Sequence, residues 1–194
     1  MLQIFQETYI CNSVYWLMKK LSMQELNRLS TEEFIRSEKM PVTVVLDNIR
    51  SLNNIGSVFR TSDAFRVECI HLCGITAQPP HREIQKTALG ATESVLWKYY
   101  PETEESILEL KKSGYRIMAV EQADESILLN EVQLNADVKT AIVLGNEVNG
   151  VQQNIIDLAD ICLEIPQMGT KHSLNVAVSA GIILWSLFKE RSWK

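Results

Sequence analysis

The sequence predicts an α/β domain in which a parallel sheet is covered by helices on both faces. Three observations predict it. Compact β-branched runs such as "PVTVVLDN" and "KTAIVLG" read as buried strands. Segments with helical spacing alternate with them, which is the signature of parallel strands joined by crossover helices. No internal repeat, low-complexity tract or long linker interrupts the alternation. In such sheets ligands bind beyond the carboxyl ends of the strands, so the informative residues belong directly after strands.

The elements follow in order. Residues 1–17 read as an upstream extension or disordered tail. Their acid comes early (Glu7) and the lysines late (Lys19, Lys20), the reverse of a signal peptide. Met18 opens "MKKLSMQELNRLS", which reads like a natural start. Residues 18–40 form a short helical extension. Ser22 with Glu25 and Ser30 with Glu33 fit the capping box, predicting two short helices near 23–37 that end at Pro41. The main domain covers 41–194. After the strand "PVTVVLDN", the residues Ile55, Val58, Phe59, Ser62 and Phe65 form one helical stripe, and "ECIHLCGI" is the next strand. "TAQPPHREIQKTALGA" reads as a loop with one helical turn, and "SVLWKYY" as a strand. "ETEESILELKKSG" is an amphipathic helix with acids first and lysines last, as the macrodipole prefers, closed by Gly114. "YRIMAVE" and "KTAIVLG" are strands, 152–158 a short helix, "ICLEIP" the last strand and 173–190 the last helix.

Composition narrows the function. A chain of 194 residues, 46% hydrophobic and 22% charged, is long enough for one globular domain with a sizeable core. No apolar run reaches the roughly 18 residues of a membrane span. A net charge of −5 argues against indiscriminate nucleic-acid binding, so any contact with RNA or DNA must rest on placed residues. Of the four cysteines, Cys69 and Cys73 share a strand face with His71. Parallel side chains on one strand close a tetrahedral metal site poorly, so these read as structural thiols, no metal is expected, and a reducing cytoplasm is.

Three clusters follow strands. In "IRSLNNIGSVFRTSDAF", Asn53 or Asn54 is a candidate helix cap. Arg60 lies one turn after Gly56 on the same face, leaning back toward free N–H groups as if to hold a phosphate. The plainer alternative is an Asn cap and a surface Arg60 paired with Asp47 or Asp63. In "GNEVNGV", Gly145 permits a sharp turn that holds Glu147 at the crevice rim, and Asn149–Gly150 makes a turn; a simple loop with a solvated acid is the alternative. In "IPQMGTKHSLNV", the backbone at Ile165, Gln167 and Met168 meets the start of the last helix, where Ser173 is a candidate cap. Backbone N–H and C=O groups there suit adenine and an amino-acid moiety, with Ser173 and Asn175 toward the reacting end.

Together these clusters resemble the three motifs of the SpoU (TrmH) family of RNA ribose 2′-O-methyltransferases. They are Asn54-x-Gly56-x-x-x-Arg60, Gly145-Asn-Glu147-x-x-Gly150 and Ile165-Pro166-x-x-Gly169-x-x-x-Ser173-Leu174-Asn175-Val176, and the likeness covers roughly residues 40–190. Thr87–Ala91, "TALGA", also looks like the family; Arg66 departs from it, standing where a glycine is common. The resemblance implies a C-terminal trefoil knot around 141–190, an exception to the rule against knots. It implies S-adenosylmethionine as cofactor, contacted at Gly145, Ile165 and Leu174. It also implies methyl transfer to a ribose 2′-hydroxyl of tRNA or rRNA, with Arg60 as the catalytic arginine and Asn54, Glu147, Ser173 and Asn175 around it. Lys171, His172 and Arg82 are further candidates for RNA backbone contacts. A non-catalytic RNA-binding module of the same fold is the main alternative. A different nucleotide-binding enzyme is weakened by the absence of a Gly-x-Gly-x-x-Gly or Walker loop. The last helix is apolar on nearly every side, which predicts a homodimer.

Overall fold

A computed structural model describes residues 19–22, 24–135 and 137–191. The expectations for residues 1–17 lie outside the described residues. The elements are α1 (Thr31–Arg36), β1 (Met40–Asp47), α2 (Leu52–Ala64), β2 (Val67–Cys73), α3 (Arg82–Ala88), α4 (Ala91–Ser94), β3 (Leu96–Tyr100), α5 (Thr103–Lys112), β4 (Arg116–Val120), β5 (Ile127–Leu128), β6 (Thr140–Leu144), α6 (Gln153–Leu158), β7 (Ile161–Glu164) and α7 (Val176–Lys189).

The seven strands form one sheet in the order β3-β2-β1-β6-β4-β7-β5. Every pairing is parallel. Val44 lies opposite Ile70 on one side and Ile142 on the other, so β1 and its neighbours form the centre. Both faces are covered. Val42, Val44 and Leu46 pack with Ile55, Val58 and Phe59 of α2 and Ile183 and Leu187 of α7. Val45, Ala141 and Val143 pack with Ile107 and Leu110 of α5 and Ile155 of α6. Burial on both faces is why the strands read as continuous apolar runs without alternation. Among the described residues no helix is long and apolar enough to cross a membrane.

Several local expectations change. Ser30 and Glu33 close a full capping box on α1, whereas Ser22 and Glu25 exchange the same bonds around a mere turn. Pro41 lies inside β1 and ends nothing. The loop after β2 carries two short helices, α3 and α4, instead of one turn. β5 has only two residues, too few to show a period. Arg66 adopts φ +51, and its carbonyl accepts from the amide of Met40. The turn before β2 therefore keeps a left-handed residue without the glycine that would adopt it freely, at a cost of roughly 1–2 kcal/mol.

The shared face of Cys69, His71 and Cys73 packs under α5. His71 Nδ1 lies 2.7 Å from the Ser106 hydroxyl, and its ring centroid is 4.7 Å from that of Tyr100. Burial pushes both thiols up to about 12 and the imidazole down to about 4. A thiol so reluctant to ionise is a poor metal ligand. The depressed imidazole sets a pH dependence. As pH falls below the ordinary histidine value of about 6.5, the unfolded chain takes up a proton that the folded chain refuses until about pH 4. Stability is therefore expected to drop by about 2 to 3 kcal/mol across that window. Urea unfolding at steps between pH 7 and pH 4 checks this: His71→Leu should flatten the slope relative to the unaltered chain.

Candidate active site

The site is built at the carboxyl ends of the central strands. Directly after β6 the backbone of residues 145–151 doubles back, with Asn146 and Gly150 exchanging both amide bonds at 3.0 and 2.9 Å. The reason for Gly145 is contact: a Cβ there would lie 2.1 Å from the Val151 nitrogen and 2.2 Å from the Gly150 carbonyl carbon. The Asn146 side chain braces the turn, accepting from the amides of Val148 and Asn149 and donating to the Asn48 carbonyl at 2.6 Å.

This turn delivers Glu147 to the start of α2. Its carboxylate accepts from the amides of Arg50 (2.9 Å) and Ser51 (3.0 Å) and from Asn54 Nδ2 (3.0 Å). Burial pushes the Glu147 carboxyl up, but these donors outweigh it and hold it below the ordinary range. The bridge is thus charged at neutral pH and weakens only as pH falls through that lowered value. Asn54 Oδ1 in turn accepts from Asn175 Nδ2 at 3.0 Å. Asn175 Oδ1 caps α7 by accepting from the amides of Ala177 and Val178. One hydrogen-bonded chain, Glu147–Asn54–Asn175, therefore joins all three motif clusters.

Two expected caps are corrected by this chain. α2 is capped by Ser51, whose hydroxyl accepts from the Asn54 amide, and neither Asn53 nor Asn54 takes that place. α7 is capped by Asn175 and not by Ser173, because the helix starts at Val176. The phosphate expected at the mouth of α2 is also displaced: the anion there is Glu147. Gly56 does not clear a path for Arg60. It is buried against α3, where a Cβ would lie 2.1 Å from Thr87 Oγ1. Thr87 donates to the Asn53 carbonyl, tying the "TALGA" segment to α2. Arg60 is exposed and pairs with neither acid. Asp47 is buried and accepts from Thr103 and Gln152, and Asp63 accepts from Ser94.

Beneath the 145–151 turn lies a cleft of about 770 Å³. Gly145, Glu147, Ile165, Ser173, Leu174 and Asn175 all line it. Asn54 stands one hydrogen bond away. Gln167 lines it but Met168 is fully exposed and points elsewhere. His172 lines it too; Lys171 and Arg82 are exposed outside. Glu121 and Gln122, which follow β4, also line the cleft and were missed. The rule that ligands bind after strand ends would have found them, since "YRIMAVEQ" ends in a polar pair. Arg60 lies six residues beyond Asn54, about 9 Å further along the helix axis, away from this cleft. The cleft fits S-adenosylmethionine. Its volume suits a nucleoside-sized ligand, and one wall is apolar (Val120, Leu144, Leu163).

Comparison with known proteins agrees with this geometry. The SpoU rRNA Methylase family model matches residues 41–185. A tRNA (guanosine(18)-2′-O)-methyltransferase of Thermus thermophilus is 30% identical over 167 residues, 86% of this chain and 84% of its own. The crystal structure of the Aquifex aeolicus TrmH/SpoU tRNA modifying enzyme superposes with a TM-score of 0.73 at 29% identity, covering 83% of this chain and 80% of that one. An AdoMet-bound rRNA methyltransferase of Sinorhizobium meliloti superposes at 0.71 with 25% identity, covering 79% of this chain and 61% of that one. With its three motifs joined in one cleft and the family model spanning nearly the whole sheet, this chain belongs to the SpoU methylase family.

Proposed function

We propose that the chain is an S-adenosylmethionine-dependent RNA methyltransferase acting on a ribose 2′-hydroxyl. The observation that carries this reading is the Glu147–Asn54–Asn175 chain, which brings three distant motifs to one nucleoside-sized cleft. The relatives named for tRNA 2′-O-methylation, and the neighbour holding AdoMet, support it. Being named for guanosine 18 of tRNA, the Thermus relative makes tRNA the first substrate to test.

The cofactor supplies a methyl group already activated on a sulfonium, so the protein must align, exclude water and allow one proton to leave. Gly145, Ile165 and Leu174 hold the cofactor. Ser173 and Asn175 face the reacting end, and Glu147 fixes Asn54 and Asn175 in place. Arg60 clamps the target phosphate. A guanidinium resists deprotonation strongly, so Arg60 first orients the hydroxyl; as the hydroxyl oxygen bonds to the methyl carbon and S-adenosylhomocysteine leaves, the proton goes to a phosphate oxygen or to Arg60 after transient loss of its own proton. Lys171, His172 and Arg82, all exposed, add contacts to the RNA backbone. Residues around 141–190 form the trefoil knot implied by the family. No metal takes part, because the sulfonium is already an activated donor, and the free cysteines suit a reducing cytoplasm.

The working unit is a homodimer. Leu174, Val178 and Trp185 recur along one face of the last turn-and-helix segment, and the latter two are 50% and 54% exposed. An exposed apolar stripe that starts at the cleft with Leu174 and runs along α7 to Trp185 is a surface for a second copy. The distance of Arg60 from its own cleft supports a site completed by Arg60 of the other chain.

Four measurements test this reading. Tritiated-methyl transfer to unmodified tRNA should label a ribose, and Arg60→Ala should lower the rate tenfold to over a hundredfold, the loss expected of about 1.5–3 kcal/mol in a charged contact. Calorimetry should show S-adenosylmethionine binding to that variant nearly unchanged; equal transfer rates would remove Arg60 from the mechanism. Transfer should persist in chelator, and rescue by one added metal would contradict the metal-free reading. Sedimentation equilibrium at micromolar concentration should give twice the chain mass of 22.1 kDa. A fully active monomer would refute the shared site.

A further inference from the structure

The two residues after β4 belong to none of the three motifs, yet each grips a different wall of the cleft. Glu121 Oε2 accepts from the Val151 amide at 3.0 Å, and Oε1 accepts from the Gln122 amide at 2.9 Å. The carboxylate reaches Val151 by passing over Gly150, where a Cβ would lie 2.1 Å from Oε2. Gly150 also adopts φ +68, so both its contact and its conformation demand glycine. Gln122 Nε2 donates to the His172 carbonyl at 2.8 Å, in the stretch from Met168 to Asn175 that is otherwise exposed. The pair itself is tied down: the Glu121 amide donates to the Leu163 carbonyl of β7, and Cys162 Sγ lies 3.4 Å from the Glu121 carbonyl.

We infer that Glu121 and Gln122 are a positioning pair that sets the width of the cleft and thereby the affinity for S-adenosylmethionine, not the rate of methyl transfer. Glu121 fixes the 145–151 wall and Gln122 fixes the 165–175 wall. The bond from Glu121 to the Gln122 amide couples the two grips. Both follow a strand paired on both sides, with β6 and with β7. This inference rests on the reading of the cleft as the cofactor site. The pair has no assigned contact with RNA or with the transferred methyl group, so its effect should fall on one substrate only.

The test uses the full chain. Glu121→Gln leaves an acceptor for only one of the two amides and turns an NH2 group toward the other. Gln122→Ala, on an exposed side chain, removes the bond to His172 without touching the core. For Glu121→Gln, the Kd and KM for S-adenosylmethionine should rise about tenfold, the effect of losing a hydrogen bond to a charged group; for Gln122→Ala, about threefold, a neutral one. In both, kcat at saturating cofactor should stay within about threefold and the KM for RNA should not move. Without cofactor, the Val151 amide should exchange hydrogen at least about tenfold faster in Glu121→Gln, since its acceptor is gone. Gly150→Ala, which drives a methyl group into the carboxylate, should weaken cofactor binding as Glu121→Gln does, and the double variant should be no worse than the weaker single one. A fall in kcat with cofactor KM unchanged, additive losses in the double variant, or unaltered Val151 exchange would each overturn the inference. Failure of the unaltered chain to bind S-adenosylmethionine would instead sink the cofactor reading, and the affinity claim with it. Val151 exchange would then still report whether Glu121 grips the wall.

Discussion

The site depends on one carboxylate. Glu147 accepts three hydrogen bonds from the start of α2, and through Asn54 it reaches the cap of α7. A carboxylate at a helix N-terminus satisfies orphan amides and meets the positive end of the helix dipole at once. Placed there by a turn that follows β6, it locks α2, α7 and the central strand end into one arrangement. Removing it would leave Arg50, Ser51 and Asn54 without their acceptor and cut the bond between the turn and α2. The same placement means that the mouth of α2 carries its own anion, so RNA phosphate has to be met elsewhere, by side chains.

Close backbone contact is the second constraint. Gly145 lies against Gly150 and Val151, Gly150 against Glu121, and Gly56 against Thr87 and Ile84. Each is a point where two segments approach within the radius of a methyl group. Gly145 meets the Gly150–Val151 backbone directly, whereas Gly56 and Gly150 each receive a side chain, Thr87 and Glu121. The glycines of the motifs therefore serve packing, and that packing shapes the cleft.

Charge and burial divide the sheet into a working end and an inert middle. Asp47, buried at the end of β1, accepts from Thr103 and Gln152 and so anchors the starts of α5 and α6 on one face. His71 and Cys69 lie further down and Cys73 lies directly beside Asp47, all three held neutral by burial. On the opposite face α7 packs its Ala180, Ile183 and Leu187 side on α2 and the sheet while its Val178 and Trp185 side stays open. Phe188 stacks on Trp185 and Phe65 is tilted against both, so the open stripe is backed by an aromatic cluster.

The alternation of strand and helix, the burial of the central strands and the location of the three clusters were legible in the sequence. Each is a local pattern: a β-branched run, a helical stripe, or a glycine with polar neighbours after a strand. The family resemblance added the cofactor and the reaction. What only the tertiary structure decided was who bonds to whom. Glu147 and Asn54 are 93 residues apart, and Asn54 and Asn175 are 121 apart, distances over which no periodicity carries information. Ser51 and Asn175 are the caps because α2 starts at Leu52 and α7 at Val176, one residue after each. Gly56 reads in sequence as open space, and only the approach of α3 shows it to be a contact. Glu121 and Gln122 look like an ordinary strand end until the 145–151 and 165–175 loops close on them. The chain's local chemistry specified the elements; their docking beyond the strand ends specified the site, because hydrogen bonds between distant segments exist only once the sheet has brought those ends together.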